Sequence, residues 1–220
     1  MMPVIHGPDS EGTELREGKL FPNCIVLRYL YYITDNMDQA ERVIGQTKNW
    51  IKEVVVGCNF CPFAARELKM DSIHYQVEQS TKRNECLRAF VQECVRLDKE
   101  EAIATTLLIF PNAFLRWVDY LDMVARAEKL LRKNGYEGIY QVASFHPLYQ
   151  FAGTLADDAA NYTNRSMYPM LHVLREAQVE KSLLNYPHPE GIPDRNILFA
   201  RERGMAFMKA LRDSCLQDLK

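Results

Sequence analysis

Apolar side chains recur at steps of three and four residues in three stretches of the chain, and this spacing predicts amphipathic helices. The first helix is predicted over residues 37–56, where Gly57 is placed to end it. The second is predicted over residues 83–97. The third is predicted over residues 113–133, with Asn112 as its cap. Each of these helices is expected to bury one face against a sheet or against other helices.

Three further stretches have the pattern of β-strands. Residues 74–79 alternate between apolar and polar side chains, residues 102–110 are almost continuously apolar and β-branched, and residues 138–145 form a third run. Helices between successive strands imply crossover connections. The pattern therefore predicts an α/β fold, in which helices cover a small, mainly parallel or mixed sheet of three to four strands. An α+β fold with a ferredoxin-like split arrangement is the alternative.

The strand–helix alternation stops after the third strand, and the C-terminal part is predicted to be helical. Residues 146–165 have no strong period and are interpreted as a long loop. Pro169 suits the first turn of a helix that would run to about residue 184. Asp194 is placed to cap a final helix over residues 195–216.

Residues 1–36 differ from the rest of the chain, because glycine and proline interrupt any periodicity before an apolar patch begins at Cys24. We expect a poorly ordered arm here and a single α/β domain over residues 37–220. One alternative is an extra strand or helix packed on that domain. An over-extended reading frame, with its true start at Met37, would account for a poorly ordered arm.

Composition limits the classes of protein to which the chain can belong. Hydrophobic residues at 47% and charged residues at 25% are typical of globular domains. A net charge of -2 predicts no bulk attraction to nucleic acid or to an anionic membrane. No apolar run approaches the roughly 20 residues of a membrane-spanning helix. The six cysteines have no disulfide-like spacing, so free thiols in the cytoplasm are expected.

Polar chemistry begins where the third predicted strand ends, at Ser144 and His146. Ligand sites in open α/β sheets gather at the carboxyl ends of strands. An imidazole at such an end can act as a general base, a general acid or a metal ligand. Alternatively, His146 would anchor the following loop through hydrogen bonds.

Asn164 and Arg165 lie just before the helix predicted to start at Pro169. A helix N-terminus beside a guanidinium group is suited to bind an anion. The alternative is a network that braces the loop, because Asn, Ser and Thr favour such positions.

His172 and Glu176 are four residues apart, which would place them on one face of that predicted helix. Such a pair can ligate a metal or orient an imidazole with a carboxylate, although it also arises by chance as a solvated pair. Arg175 would point about 100° away from His172 on a helix. The neighbouring aspartates Asp157 and Asp158 are interpreted as a solvated turn rather than a cation site.

Cys58 and Cys61 form a Cys-x-x-Cys pair at the predicted exit of the first helix. A structural zinc site would need a second pair or suitably spaced histidines. The C-terminal end of a helix raises a thiol pKa, which disfavours a reactive thiolate. Structural burial is the better interpretation of Cys58. For Cys61, a structural role and a chemical role are both left open.

Several motifs resemble the bacterial family known as domain of unknown function 1415. They lie in the same order over roughly residues 40–200, at residues 59–64, 105–111, 141–147, 161–166 and 168–176. The family pattern has leucine before Cys-Pro-Phe, no cysteine at Cys58 and proline at Met167. The absence of a family cysteine at the position of Cys58 weakens a paired-cysteine model and leaves Cys61 as the candidate. The resemblance implies a domain of this size and these candidate residues, but it implies no reaction.

Together these residues predict an enzyme that acts on a small carboxylate or phosphate. Cys61, His146, His172 and Glu176 would converge in one pocket, and the substrate would be held by Ser144, Asn164, Arg165 and Arg175. In one mechanism, Cys61 is a nucleophile activated by His146. In the other, His146 and His172, together with Glu176 or Cys61, hold iron or zinc. The alternative function is a non-catalytic module that binds a small anion or a partner.

Overall fold

A mixed sheet of four strands organises the computed structural model, which describes residues 25–184 and 186–217 of the chain. The strands are β1 (Ile73–Val77), β2 (Thr105–Ile109), β3 (Tyr140–Phe145) and β4 (Met170–Arg175). The helices are α1 (Ile25–Trp50), α2 (Ala64–Lys69), α3 (Arg83–Lys99), α4 (Trp117–Lys133), α5 (Glu176–Leu184), α6 (Ile192–Arg203) and α7 (Met205–Ser214). A π-helical turn, Ile51–Val56, continues α1, and two 3-10 helices cover Ala159–Thr163 and Pro189–Gly191.

The strand order across the sheet is β1-β2-β4-β3. β1 and β2 are parallel, as expected for strands joined through α3, whereas β4 runs antiparallel to both of its neighbours. The prediction of an α/β fold with a small mixed sheet and a helical C-terminal part is confirmed. β2, α4 and β3 form a split βαβ unit, because β4 lies antiparallel between two strands that are parallel to each other. The order of elements along the chain differs from the complete βαββαβ ferredoxin-like arrangement that was the alternative.

Side chains of successive strand residues point to opposite faces of the sheet, and each face has its own core. On the α3/α4 face, Leu108, Leu171 and Val173 pack with helical residues such as Phe90 and Met123. On the opposite face, Leu107, Ile109 and Met170 pack with residues of α1, the π-helical turn, α6 and α7. All six of these strand residues are buried.

The chain divides into two units, Met1–Asp35 and Asn36–Lys220. Of the first unit the structure describes only residues 25–35, which are helical and begin α1. Residues 1–24 of the predicted arm lie outside the described residues. In the described ranges, no helix is both long enough and apolar enough to cross a membrane.

Three predicted boundaries in the helical parts are wrong. The stretch after Pro169 is β4 rather than a helix, and α5 begins only at Glu176. The final helix is divided into α6 and α7 by Gly204, whose φ of 80° lies in the left-handed region that glycine tolerates. Asn112 does not cap α4, since its side-chain amide donates to Gln79 instead.

Candidate ligand pocket

His146 anchors the loop after β3 on the α3/α4 face. Its ring centroid lies 5.2 Å from that of Trp117 and 4.8 Å from that of Tyr120. The Leu148 backbone N–H donates to Nδ1 at 2.9 Å, so the ring proton is on Nε2, which donates to the Phe114 carbonyl at 2.9 Å. The side chain is 0% exposed, and this burial lowers its pKa. Both ring nitrogens are therefore occupied in holding the loop.

Arg165 and Asn164 brace the same loop. Arg165 donates from Nε to the Tyr149 carbonyl at 3.0 Å and from Nη2 to the Ala156 carbonyl at 2.7 Å. The side-chain amide of Asn164 donates to the Ser144 carbonyl at 3.3 Å. The predicted helix N-terminus beside them does not exist, because β4 follows. The structure matches the bracing alternative, and the expected anion site does not form here.

Arg175 binds the chain segment that ends α3. It donates from Nη2 to the Leu97 carbonyl at 2.5 Å and from Nε to the Ile103 carbonyl at 3.2 Å. These carbonyls belong to the last turn of α3 and to the loop that leads into β2. The guanidinium group therefore satisfies acceptors that the helix end leaves without partners. Arg175 also lines the cavity described below, so the substrate role stays a prediction.

The three predicted metal ligands do not come together. His146 is on the α3/α4 face, and His172 and Glu176 do not share a helix, because His172 is in β4 and Glu176 is the first residue of α5. Over the described ranges, no group of three or more His, Cys, Asp or Glu side chains is arranged to hold a metal ion. The predicted arrangement was wrong because it assumed a helix over residues 170–175.

A cavity of about 290 Å³ lies on the opposite face of the sheet, and we call it the sheet pocket. Its floor is formed by β2, β3 and β4, and its walls by the π-helical turn, α2 and α5. The residues that line it are mostly apolar: Trp50, Ile51, Val55, Cys61, Phe63, Ala64, Glu67, Ile73, Ala104, Thr105, Leu107, Gln141, Ala143, Phe145, His172, Leu174, Arg175, Gln178, Val179 and Ser182.

A small side chain lies in the floor of the sheet pocket, and an unusual helical turn lies in its wall. Ala143 is paired with His172 across β3 and β4, so a methyl group lies in the floor where longer side chains would fill the space. The π-helical turn ends at Gly57, where a Cβ would come within 2.2 Å of the Glu53 carbonyl oxygen. Single π-helical turns of this kind occur often at functional sites. Sequence periodicity did not reveal the turn, because it differs from an α-helix only in its hydrogen-bond step.

A Thr105–His172 pair is the polar centre of the floor. Thr105 Oγ1 lies 2.7 Å from His172 Nε2 and 2.6 Å from the Val173 carbonyl oxygen. Burial lowers the pKa of His172 to about 4, so the imidazole is neutral at pH 7. The pocket therefore offers one neutral, oriented imidazole within an apolar lining.

Cys61 and His172 both line the sheet pocket, whereas His146 and Glu176 do not. The prediction of one pocket for all four residues is thus wrong for His146, which lies on the other face. Cys58 is half-buried, and its pKa is raised by burial, with Arg203 acting in the opposite direction. The five cysteines in the described part of the chain are free thiols.

A second, wider cleft of about 560 Å³ adjoins the sheet pocket. The two share Phe63, Glu67, Ala104, Gln178 and Ser182 as lining residues. The cleft is more polar and includes the charged residues Arg66, Glu101 and Lys181. Its chemistry therefore differs from that of the pocket floor.

Comparison with known proteins gives one match. A family model described as "Protein of unknown function (DUF1415)" matches residues 42–210, a range that contains all four strands and the lining of the sheet pocket. No curated protein and no solved structure matches the chain.

Proposed function

The chain belongs to the DUF1415 family, and we propose that it binds a small, largely apolar organic molecule in the sheet pocket. The observation that carries this proposal is the apolar cavity of about 290 Å³, with its single oriented imidazole. A folded core normally excludes voids larger than a water molecule. A cavity of this size, beside a polar cleft that shares five of its lining residues, therefore fits a binding role better than a packing role.

The cavity volume indicates the size of the ligand. An apolar cavity of about 150 Å³ holds one benzene ring. The sheet pocket is about twice as large, so two fused rings or an equivalent branched hydrocarbon would fill it. With about ten heavy atoms, each contributing roughly 0.5 kcal/mol, the dissociation constant of a simple probe is expected at about 0.2 mM.

The proposal is tested with 2-naphthol as a probe and with a pair of matched variants. Ala143→Leu places a larger side chain in the pocket floor, whereas Ala125→Leu makes the same change on the exposed side of α4. We expect saturable binding to the wild-type chain and to Ala125→Leu, and at least tenfold weaker binding to Ala143→Leu. Thermal unfolding of all three proteins controls for folding. Absence of binding, or equal affinity in the two variants, would refute the proposal.

A second candidate is that the pocket is a reaction site, because Cys61 and His172 line it together. His172 would accept the thiol proton, and an anionic group of the substrate would lie in the adjacent cleft beside Arg66. The low pKa of His172 opposes this version, since a thiolate needs a protonated partner to stabilise it. Simple binding is for that reason our first proposal.

The rate of Cys61 alkylation by iodoacetamide at pH 7 separates these two candidates. Buried Cys86 and Cys94 would react slowly in any case, so the reference is the same Cys61 thiol in the urea-unfolded chain. The reaction-site version requires a faster rate in the folded protein and loss of that acceleration in His172→Phe. A rate at or below the unfolded reference would eliminate the thiol mechanism.

The free thiols of the described chain also support the proposal that the protein works in the cytoplasm.

A further inference from the structure

We infer that the ligand of the sheet pocket presents a hydrogen-bond donor, a neutral hydroxyl or N–H group, to Nδ1 of His172. This inference rests on the proposed function and specifies the class of ligand. It excludes a carboxylate at this position and distinguishes an apolar alcohol, phenol or heterocyclic N–H compound from a pure hydrocarbon.

The position of one hydroxyl proton fixes the tautomer of His172. Thr105 Oγ1 lies 2.6 Å from the Val173 carbonyl oxygen, and a carbonyl can only accept a hydrogen bond. The single hydroxyl proton of Thr105 is therefore directed to Val173. Toward His172 Nε2, at 2.7 Å, the hydroxyl oxygen can then only accept. The ring proton must be on Nε2, which leaves a lone pair on Nδ1.

The Nδ1 lone pair is a polar group in the pocket floor that the described fold leaves available. No residue in the described ranges donates to it. The buried side-chain atoms that lack a hydrogen-bond partner are His74 Nε2, Tyr75 OH and Gln79 Nε2. Nδ1 of His172 is not among them, so this atom is accessible rather than enclosed. Because the ring lines the sheet pocket and Nδ1 is not sealed inside the protein, a ligand can reach this atom.

The lone pair also determines what the site rejects. A carboxylate oxygen would meet Nδ1 lone pair to lone pair in an apolar surrounding, without a proton between them. Capture of a proton by the ring would solve this problem, but burial opposes the imidazolium form. A hydrocarbon of equal size fits the space but forms no hydrogen bond with Nδ1. A neutral hydrogen-bond donor of the right size both fills the cavity and donates a hydrogen bond to Nδ1.

The experiment compares 2-naphthol with 2-methylnaphthalene, in which a methyl group replaces the hydroxyl at nearly equal volume. Binding of both probes is measured to the wild-type chain and to His172→Phe, whose ring has a similar shape but no nitrogen. We expect the hydroxyl-to-methyl affinity ratio to be about tenfold higher in the wild-type chain than in His172→Phe, which corresponds to about 1.4 kcal/mol. Taking the ratio cancels the different water solubilities of the probes.

Thr105 supplies a second pair of variants, which keeps the test decisive if His172→Phe does not fold. Thr105→Ser retains the hydroxyl and should preserve the preference for 2-naphthol. Thr105→Val has the same shape without the hydroxyl, so the ring proton of His172 is no longer fixed on Nε2. The preference for 2-naphthol over 2-methylnaphthalene should then fall toward that of His172→Phe. Equal preferences in Thr105→Ser and Thr105→Val would overturn the inference.

The failure of this inference is distinguishable from the failure of the proposed function. If neither probe binds to the wild-type chain, the binding function itself is wrong and the inference falls with it. If both probes bind and the hydroxyl-to-methyl affinity ratio does not depend on His172, the proposed binding function is retained and the requirement for a hydrogen-bond donor is wrong. Nitrogen-15 NMR of the ligand-free protein gives an independent readout, since a proton found on Nδ1 of His172 would also overturn the inference.

Discussion

His146 and His172 lie on opposite faces of one sheet. His146 directly follows β3 and His172 belongs to β4, although these two strands are hydrogen-bonded neighbours. The His146 ring packs against Trp117 and Tyr120 of α4, whereas the His172 ring lines the sheet pocket. The sheet itself therefore separates the two imidazoles. Each has a different task, one as a structural anchor and the other as the polar centre of a cavity.

His146→Phe is expected to destabilise the fold without changing ligand affinity. The substitution keeps an aromatic ring but leaves the Phe114 carbonyl and the Leu148 N–H without their partners. Unpaired buried groups cost about 1–3 kcal/mol each, so the free energy of unfolding should fall by about 2–6 kcal/mol. Urea unfolding measures this loss. A change in 2-naphthol affinity, measured where the variant is fully folded, would show instead that His146 contributes to the site.

The stability of the protein should depend on pH through His172. Its folded-state pKa of about 4 lies below the ordinary value of 6.5, so between these pH values the unfolded state binds a proton that the folded state does not. Stability is therefore complete above pH 6.5 and falls as the pH drops toward 4, by at most about 3 kcal/mol.

The comparison with His172→Phe isolates this effect from other titrating groups, including His146, whose pKa is also lowered. Urea unfolding of both proteins between pH 4.5 and 7 should show a steeper fall in stability for the wild-type chain. Parallel curves would mean that the His172 imidazole is protonated as easily in the folded chain as in the unfolded chain.

Arg175→Lys should lower stability although the charge is conserved. A lysine has no planar fork and cannot reach the Leu97 and Ile103 carbonyls in the way that the guanidinium group does. A loss of about 1–3 kcal/mol is expected in urea unfolding. Arg88→Lys, at an exposed position of α3, is the matched control and should change stability by less than about 0.5 kcal/mol. Similar effects of the two substitutions would contradict the bracing role.

The two adjacent aspartates, Asp157 and Asp158, should differ in their contributions to stability. Asp158 accepts a hydrogen bond from the Ala160 N–H at the start of the 3-10 helix and is bound by Arg201 at 2.7 Å. Its pKa is lowered, first of all by the hydrogen bond from Arg201. Asp158→Ala should cost about 1 kcal/mol through loss of the cap, whereas Asp157→Ala, an exposed position, should cost little. Equal costs would show that the cap has no energetic role.

The elements with strong periodicity were predictable from sequence. The repeating apolar positions of α3 and α4 and the β-branched run of β2 form the core of the α3/α4 face, where burial decides the pattern. The stop at Gly57 was also predictable, and the structure adds that a side chain larger than glycine would not fit there, because a Cβ would come within 2.2 Å of the Glu53 carbonyl oxygen. These features depend on local sequence and on burial, and both determine the pattern of apolar and polar residues along the chain.

β4 was misread because its sequence allows two interpretations. Residues 170–174 are four apolar side chains and His172, and Arg175 follows them. A short apolar run of this kind does not separate a buried strand from a helix. Pro169 suits either the first turn of a helix or the position before a strand. The place of β4 between β2 and β3 depends on pairing across the sheet, which local sequence does not encode. This one error moved His172 and Glu176 onto a common helix.

The candidate site was predicted in part. Cys61 and His172 were selected for their chemistry, and both line the sheet pocket. Thr105, the residue that fixes the His172 tautomer, was missed because it lies 67 positions away in sequence and meets His172 only through the pairing of β2 with β4. The loop residues were selected because they are dense in polar groups, but those groups satisfy one another and the backbone.

The insertion of β4 between β2 and β3 has a consequence for synthesis on the ribosome. The two strands that flank it are translated first, and each then presents an edge whose partner has not yet emerged. Open edges of this kind attract strands from other chains. A nascent chain that pauses before residue 170 would thus be vulnerable to aggregation, and completion of the central strand would be the step that removes this hazard.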